Sequence, residues 1–297
     1  METQVDNKSQ KLTALLEQIN DSEISSTQRV ITEIIRVIND PHSTAKDLKE
    51  IIDVDPPLAG KVLRRANSAY YANRRKFSDI LEAIIWVGFD AVKQLALSQK
   101  VCELFEQEAH IEGYSRLALW KHSVAVALCS KFIYRREYSE KGDNIYAAGL
   151  MHDIGIIIED QFLHDEFTRV MRTLNRTRDD LTAVEDRVIG FDHTRLAREV
   201  TGSWTLPREL IDAIGYHHTP LQAPDGSTRI VKTLYVAEQI IQNLEIGFAL
   251  ESGRNSQLFH QTLEDLGIKE VAVEYISEEV REKIALMDEE GWFDDDN

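Results

Sequence analysis

The chain has 297 residues, 43% hydrophobic and 29% charged, which allows one large folded unit or two modest ones and rules out wholesale disorder. Its 34 basic and 51 acidic residues leave a net charge of −17, so nucleic acid is not expected as a partner and neither is an anionic membrane. No apolar run approaches the roughly 18 residues of a membrane span, the start METQVDNKSQ carries no secretory stretch, and two cysteines, Cys102 and Cys129, cannot build a disulfide framework, so a cytoplasmic protein is expected.

Helical periodicity recurs along nearly the whole chain and strand alternation is scarce, so the expected fold class is all-α. Thr27 is placed to cap a helix with the apolar stripe Val30, Ile31, Ile34 and Ile38, ended by Asp40-Pro41. Thr44 and Asp47 have capping-box spacing ahead of Leu48, Ile51 and Ile52. Asp55-Pro56-Pro57 reads as a cap with proline in the first turn of a helix carrying Leu58, Val62 and Leu63. Ser78 is placed to cap a helix with Ile80, Leu81, Ile84 and Ile85 inside that stops near Gly88, and a long helix follows to about Phe105.

The polar stretch EQEAHIEGY at 106–114 reads as a joint, giving an N-terminal helical lobe over 1–113 packed on a second helical lobe over 114–250. Helices are expected in the second lobe near 115–136, 143–153, 158–175, 178–189, 193–203, 207–218 and 228–244. TPLQAPDGST at 219–228 is the strongest loop signal. Residues 251–297 form a C-terminal extension, with one helical stretch near 272–287 and an acidic tail, DEEGWFDDDN, expected to be solvated.

The informative feature is where the histidines fall. Stepping from Leu119 by three or four residues gives His122, Val126, Cys129 and Ile133, so His122 lies on a buried stripe. Ile145, Ala148 and Gly149 share a face with His152, and Asp153 follows; small Ala148 and Gly149 would let a neighbouring backbone approach closely. Asp192 can cap a helix on which His193, Leu196, Ala197 and Val200 share a face. His217-His218 end another helix, and Glu238 sits among Val231, Leu234, Tyr235 and Ile241.

A lone histidine on such a stripe is ordinarily a hydrogen-bonded core residue, and a buried glutamate ordinarily has a structural partner. Five histidines, an aspartate and a glutamate turned inward in one lobe fit metal ligation better. Imidazole and carboxylate are the usual ligands of iron, zinc and manganese. Seven groups exceed one tetrahedral ion and suit two divalent ions bridged by an aspartate, with Asp153 as the bridging candidate. His42, His110, His164 and His260 lie in loops or polar stretches and read as surface residues.

PPLAGKVLRRANSAYY at 56–71, SDILEAIIWVGFDAVKQLALS at 78–98, LWKHS at 119–123, AAGLMHDIG at 147–155 and SWTLPRELIDAIGYHHTP at 203–220 resemble the HDOD family, the HD-related output domain of bacterial signalling systems. The resemblance spans roughly residues 24 to 245 and implies an N-terminal helical lobe on an HD-like lobe. It places His122, His152, Asp153, His193, His217 and His218 where catalytic HD phosphohydrolases hold metal. Glu238 stands where those relatives usually have aspartate, and Ile156 where the related HD-GYP phosphodiesterases carry a lysine expected near the scissile phosphate. The GYP segment is replaced by TPLQAPDGST. The resemblance therefore implies a signal-transduction module with a metal-capable site and weak or no turnover. The other reading it allows is a metal-dependent phosphohydrolase acting on a nucleotide or cyclic nucleotide.

One segment runs against the acidic background. Residues 58–78 contain Lys61, Arg64, Arg65, Arg74, Arg75 and Lys76 and no acid, which suggests a docking face for an acidic signalling protein or a phosphorylated small molecule. Tyr70 and Tyr71 in the same segment read as core or interlobe contacts.

Overall fold

The computed structural model describes residues 2–68, 71, 76–106, 111–177, 179–249 and 255–294. No strand occurs among them, and the fold is all-α. The N-terminal lobe is built from α2 (Ile24–Asn39), α3 (Ala45–Asp53), α4 (Pro56–Ala66), α5 (Ile80–Val87) and α6 (Phe89–Cys102), the last extended by a 3-10 turn, Glu103–Phe105. Local chemistry explains several of the boundaries. Thr44 and Asp47 form a reciprocal capping box at α3, and the Asp55 carboxylate accepts from the Leu58 amide at the start of α4. Thr27 does not cap α2: the helix begins at Ile24, and Thr27 is buried within it. Asp79, not Ser78, caps α5, because its carboxylate accepts from both Leu81 N and Glu82 N.

The second lobe comprises α7 (Arg116–Glu137), α8 (Asp143–Met151), α9 (Ile154–Phe162), α10 (His164–Thr177), α11 (Leu181–Val188), α12 (His193–Gly202), α13 (Arg208–Tyr216) and α14 (Thr228–Asn243). The single helix expected over 158–175 is two, α9 and α10, broken at Leu163, whose backbone leaves the helical region at φ −127° and ψ 39°. α7 is the spine, packed on α8 and α14, while α2 and α6 of the first lobe rest on α8. Gly149 permits the α7–α8 contact, since a Cβ there would fall 2.5 Å from the Ala127 Cα.

Three further helices enclose this body. α1 (Glu2–Asn20), formed from the polar N-terminal stretch, packs on α2 and α12. α15 (Ser256–Leu266) packs on α14, and α16 (Glu270–Glu289) runs along α7 and α14. The end of the chain is solvated only in part: Asp288, Glu289 and Asp294 are exposed, but the two aromatic residues between them turn inward. Trp292 and Phe293 are each 6% exposed, and burying a phenylalanine contributes about 1.5–3 kcal/mol. The Arg65 guanidinium lies 4.7 Å over the Trp292 ring and donates to the carbonyls of Glu290 (3.2 Å) and Gly291 (3.0 Å). Lys121 lies 5.3 Å over Phe293 and reaches Asp288 at 2.8 Å. The tail thus ties α4 of one lobe to α7 of the other.

No helix among the described residues is long and apolar enough to cross a membrane. Burial pushes the Cys102 thiol up to about 12 and Cys129 higher still, so both are protonated at neutral pH. The native protein is therefore expected to resist a disulfide thiol reagent at pH 8 and to react at two thiols once unfolded in denaturant. Cys102 is half-buried and Cys129 fully buried, so rapid native-state labelling of Cys129 would contradict its place in the core.

Candidate metal centre

Each of the seven inward-facing groups is delivered by a helix or a helix end. His122 lies mid-way along α7, and Glu238 on the buried face of α14. His152 and Asp153 form the two-residue link between α8 and α9. His193 opens α12, capped by the Asp192 carboxylate, and His217-His218 follow the end of α13. All are buried except His218, whose side chain is 26% exposed.

They converge. Asp153 Oδ2 faces His122 Nε2 at 3.9 Å and His152 Nε2 at 3.1 Å. Its Oδ1 faces His193 Nε2 and His217 Nε2, each at 3.5 Å. Ligand atoms of Asp153, His193, His217 and His218 all lie within 4.8 Å of one another, as do those of His122, His152 and Asp153, and those of His152, His217 and Glu238. Glu238 reaches the cluster despite its longer arm, with Oε1 3.6 Å from His218 Nδ1 and accepting from Gln242 at 2.9 Å.

In three of the rings, those of His152, His193 and His217, the nitrogen on the far side is engaged. Nδ1 of His152 and of His217 lie 2.8 and 2.7 Å from the carbonyls of Gly149 and Ile214, and His193 Nδ1 lies 2.7 Å from Glu185 Oε2. A neutral imidazole that donates from Nδ1 keeps a lone pair on Nε2. Those Nε2 atoms, with Asp153 Oδ1 and Glu238 Oε2, are buried without a hydrogen-bond partner. Unpaired buried polar atoms cost about 1–3 kcal/mol each. Several of them aimed at one point fit a divalent cation: this donor set is the nitrogen and oxygen chemistry that such ions prefer.

Electrostatics follow from the crowding. Burial, joined by the neighbouring His152, holds His122 down to about 4, so it is neutral at pH 7 and able to ligate. Burial opposes charge on His152 and Asp153 alike, but each stabilises the other's charged form. His152 is pushed up to about 9 and the Asp153 carboxyl is held well below its usual range, so without an ion a proton on His152 Nε2 faces Asp153 Oδ2, and a bound cation would displace that proton to free the lone pair. Burial raises Glu238.

The cavity over these groups holds about 30 Å³, room for roughly two water-sized occupants. Its lining also includes Ile156, Leu181, Thr182, Gln239 and Phe248, so the side chain that residue 156 offers to the cavity is aliphatic. A wider groove of about 590 Å³ continues outward past Thr182, His218 and Gln239 to Tyr235 and the start of α15. Stripe reasoning passed over Glu185 and Gln242, although Glu185 shares a face with Leu181, Val184 and Val188 and gives the same signal as Glu238.

None of the described residues of the basic segment lines this centre. Lys61 pairs with Glu106, and Arg65 is buried against the C-terminal segment, so both serve internal contacts. Arg64 and Lys76 are exposed, whereas Tyr70, Arg74 and Arg75 lie outside the described residues, as does His110.

A family model described as the HDOD domain matches residues 24–220. The crystal structure of an HDOD domain protein with unknown function from Geobacter sulfurreducens is 25% identical, with a TM-score of 0.75 over 88% of this chain and 91% of that one. A Marinobacter aquaeolei VT8 protein, provisionally described as a signal transduction protein, shares the fold at 22% identity and TM-score 0.75, covering 97% of this chain and 66% of its own. A curated Treponema pallidum (strain Nichols) protein is 23% identical over 226 residues; the match takes in 72% of this chain but only 41% of that relative's length.

Proposed function

The chain belongs to the HDOD family, and from that premise we propose that it is a regulatory module of bacterial signal transduction whose HD-like cavity binds divalent metal and turns over phosphoesters weakly or not at all. The observation that carries the metal reading is Asp153, with each carboxylate oxygen facing two imidazoles. His122, His152, His193, His217, His218 and Glu238 would complete the ligand set, and iron, zinc or manganese fits it. A bound ion would polarise a phosphoryl oxygen and lower the pKa of a bound water.

The chain's own residues support binding better than turnover. The Nδ1 contacts fix the imidazole orientation of His152, His193 and His217. Ile156, which lines the cavity, offers neither charge nor hydrogen bond to a developing oxyanion. The signalling part of the reading draws on the family and on the Marinobacter relative's description. The protein is taken to work in the cytoplasm, where signalling proteins or a phosphorylated small molecule would be its partners.

The test pairs metal content with turnover. Protein loaded with Mn²⁺ and the His152→Ala/Asp153→Ala double variant are assayed on mononucleotides and cyclic nucleotides. The wild type is expected to retain metal through gel filtration, the double variant to retain none, and their hydrolysis rates to be indistinguishable. Equal, negligible metal in both would remove the site. A metal-dependent rate present only in the wild type would establish the second reading, a metal-dependent phosphohydrolase, which the near-complete ligand set favours.

A further inference from the structure

His152 and His217 each stand just past the C-terminus of a helix, and each Nδ1 meets the carbonyl three residues back, Gly149 or Ile214. Such carbonyls are among the unpaired acceptors that end every helix, so the helix itself selects the tautomer. His193 has no such provision. It opens α12, where a helix presents unpaired N–H donors and not acceptors. Its neighbour three residues back is Gly190, outside the helix at φ +109°. An acceptor for Nδ1 must be imported.

It comes from α11. Glu185 Oε2 stands 2.7 Å from His193 Nδ1 and 3.0 Å from the His193 backbone N, so one oxygen answers both donors. The turn between the two helices makes this meeting geometric. Ile189 N and Gly190 N both donate to the Glu185 carbonyl, at 2.7 and 3.3 Å, and the positive φ of Gly190 reverses the chain to bring His193 back alongside. Glu185 is fully buried on a stripe otherwise made of Leu181, Val184 and Val188, where packing alone would be met by leucine.

We propose that Glu185 is the positioning residue that fixes the His193 tautomer, accepting from Nδ1–H so that Nε2 faces Asp153 as a lone pair. With the proton on Nε2 instead, the ring would point an N–H at Asp153 Oδ1 and could not ligate a cation there. This deepens the metal-site reading and rests on it for its purpose, although the tautomer itself can be observed without metal.

The experiment uses the full chain with ¹⁵N-labelled histidine, free of metal at pH 8, with His193→Asn to identify the His193 resonances. Wild type and Glu185→Gln, whose amide oxygen can accept from both donors, are expected to carry the proton on Nδ1. Glu185→Leu is expected to lose that preference. In a Mn²⁺ titration of the same proteins, Glu185→Gln should bind within about threefold of wild type, and Glu185→Leu about 10–100-fold more weakly, the usual scale for losing a partner of a ligating histidine. A proton on Nε2 in the wild type overturns the proposal even if Glu185→Leu fails to fold, and so does wild-type Mn²⁺ affinity in a folded Glu185→Leu. A wild type with the expected tautomer that binds no Mn²⁺ would overturn the metal reading and leave the positioning role standing.

Discussion

Replacing Gly155 with alanine is expected to destabilise the protein severely and to remove its metal affinity together. A Cβ at this position would lie 2.7 Å from the carbonyl carbon of His193 and closer still to its oxygen. That obstacle is backbone, and it belongs to the first residue of α12, so it cannot yield without carrying His193 away from Asp153. Overpacking against side chains costs about 1–3 kcal/mol, and here the loss should reach the upper end of that range or pass it. Gly60 supplies the control, because it sits inside α4 with nothing within 4 Å of its would-be Cβ. Gly60→Ala should stabilise by about 0.5–1 kcal/mol through helix propensity. Melting of the metal-free proteins and a Mn²⁺ titration measure both effects. A Gly155→Ala protein that melts and binds like wild type would contradict the contact between α9 and α12.

The Asp153→Asn variant is expected to lose every ion from the cavity, not one of a pair. Asparagine keeps the shape but surrenders the charge and one of the two oxygens. Those oxygens face different imidazole pairs, His122 with His152 and His193 with His217. Loss of affinity should exceed the roughly 10–100-fold that follows from removing an outer hydrogen-bond partner. A ligand present at about 100 times its dissociation constant stabilises the folded state by about 2.7 kcal/mol. Wild-type melting temperature should therefore rise on adding Mn²⁺, while that of Asp153→Asn stays flat. An equal rise in both would show that the aspartate is not shared between ions.

Much of this was legible in the sequence because the governing signals are local. The capping box at Thr44 and Asp47, the Asp55-Pro56-Pro57 start and the stop at Gly88 are each decided within about four residues. The inward set was legible for a related reason: helical spacing puts His122, His193 and Glu238 on apolar faces, and only buried polar groups do that. Convergence was not legible, since spacing fixes a face and not a distance. The failures have their own physics. Asp79 displaced Ser78 as a cap because it is the extended residue directly before Ile80, at φ −133° and ψ 141°, from which its Oδ1 reaches the amides of Leu81 and Glu82. The break at Leu163 lies within a stretch of good helical periodicity, and packing of α9 and α10 on each other accompanies it. The acidic tail misled because its charge outweighed Trp292 and Phe293 in composition, while in three dimensions Arg65 and Lys121 receive those two rings.

The matched family segment stops at Pro220, and that is a poor place to trim the gene. Glu238, Gln242 and Phe248, three walls of the cavity, are encoded beyond it, and so is Trp292, whose ring lies under the Arg65 guanidinium. A fragment cut at the match would present an open-sided hollow and a guanidinium stripped of two carbonyl acceptors. Expression work on this protein should keep the coding region past the buried Phe293 and treat a poorly behaved shorter fragment as an amputation, not as evidence about the domain.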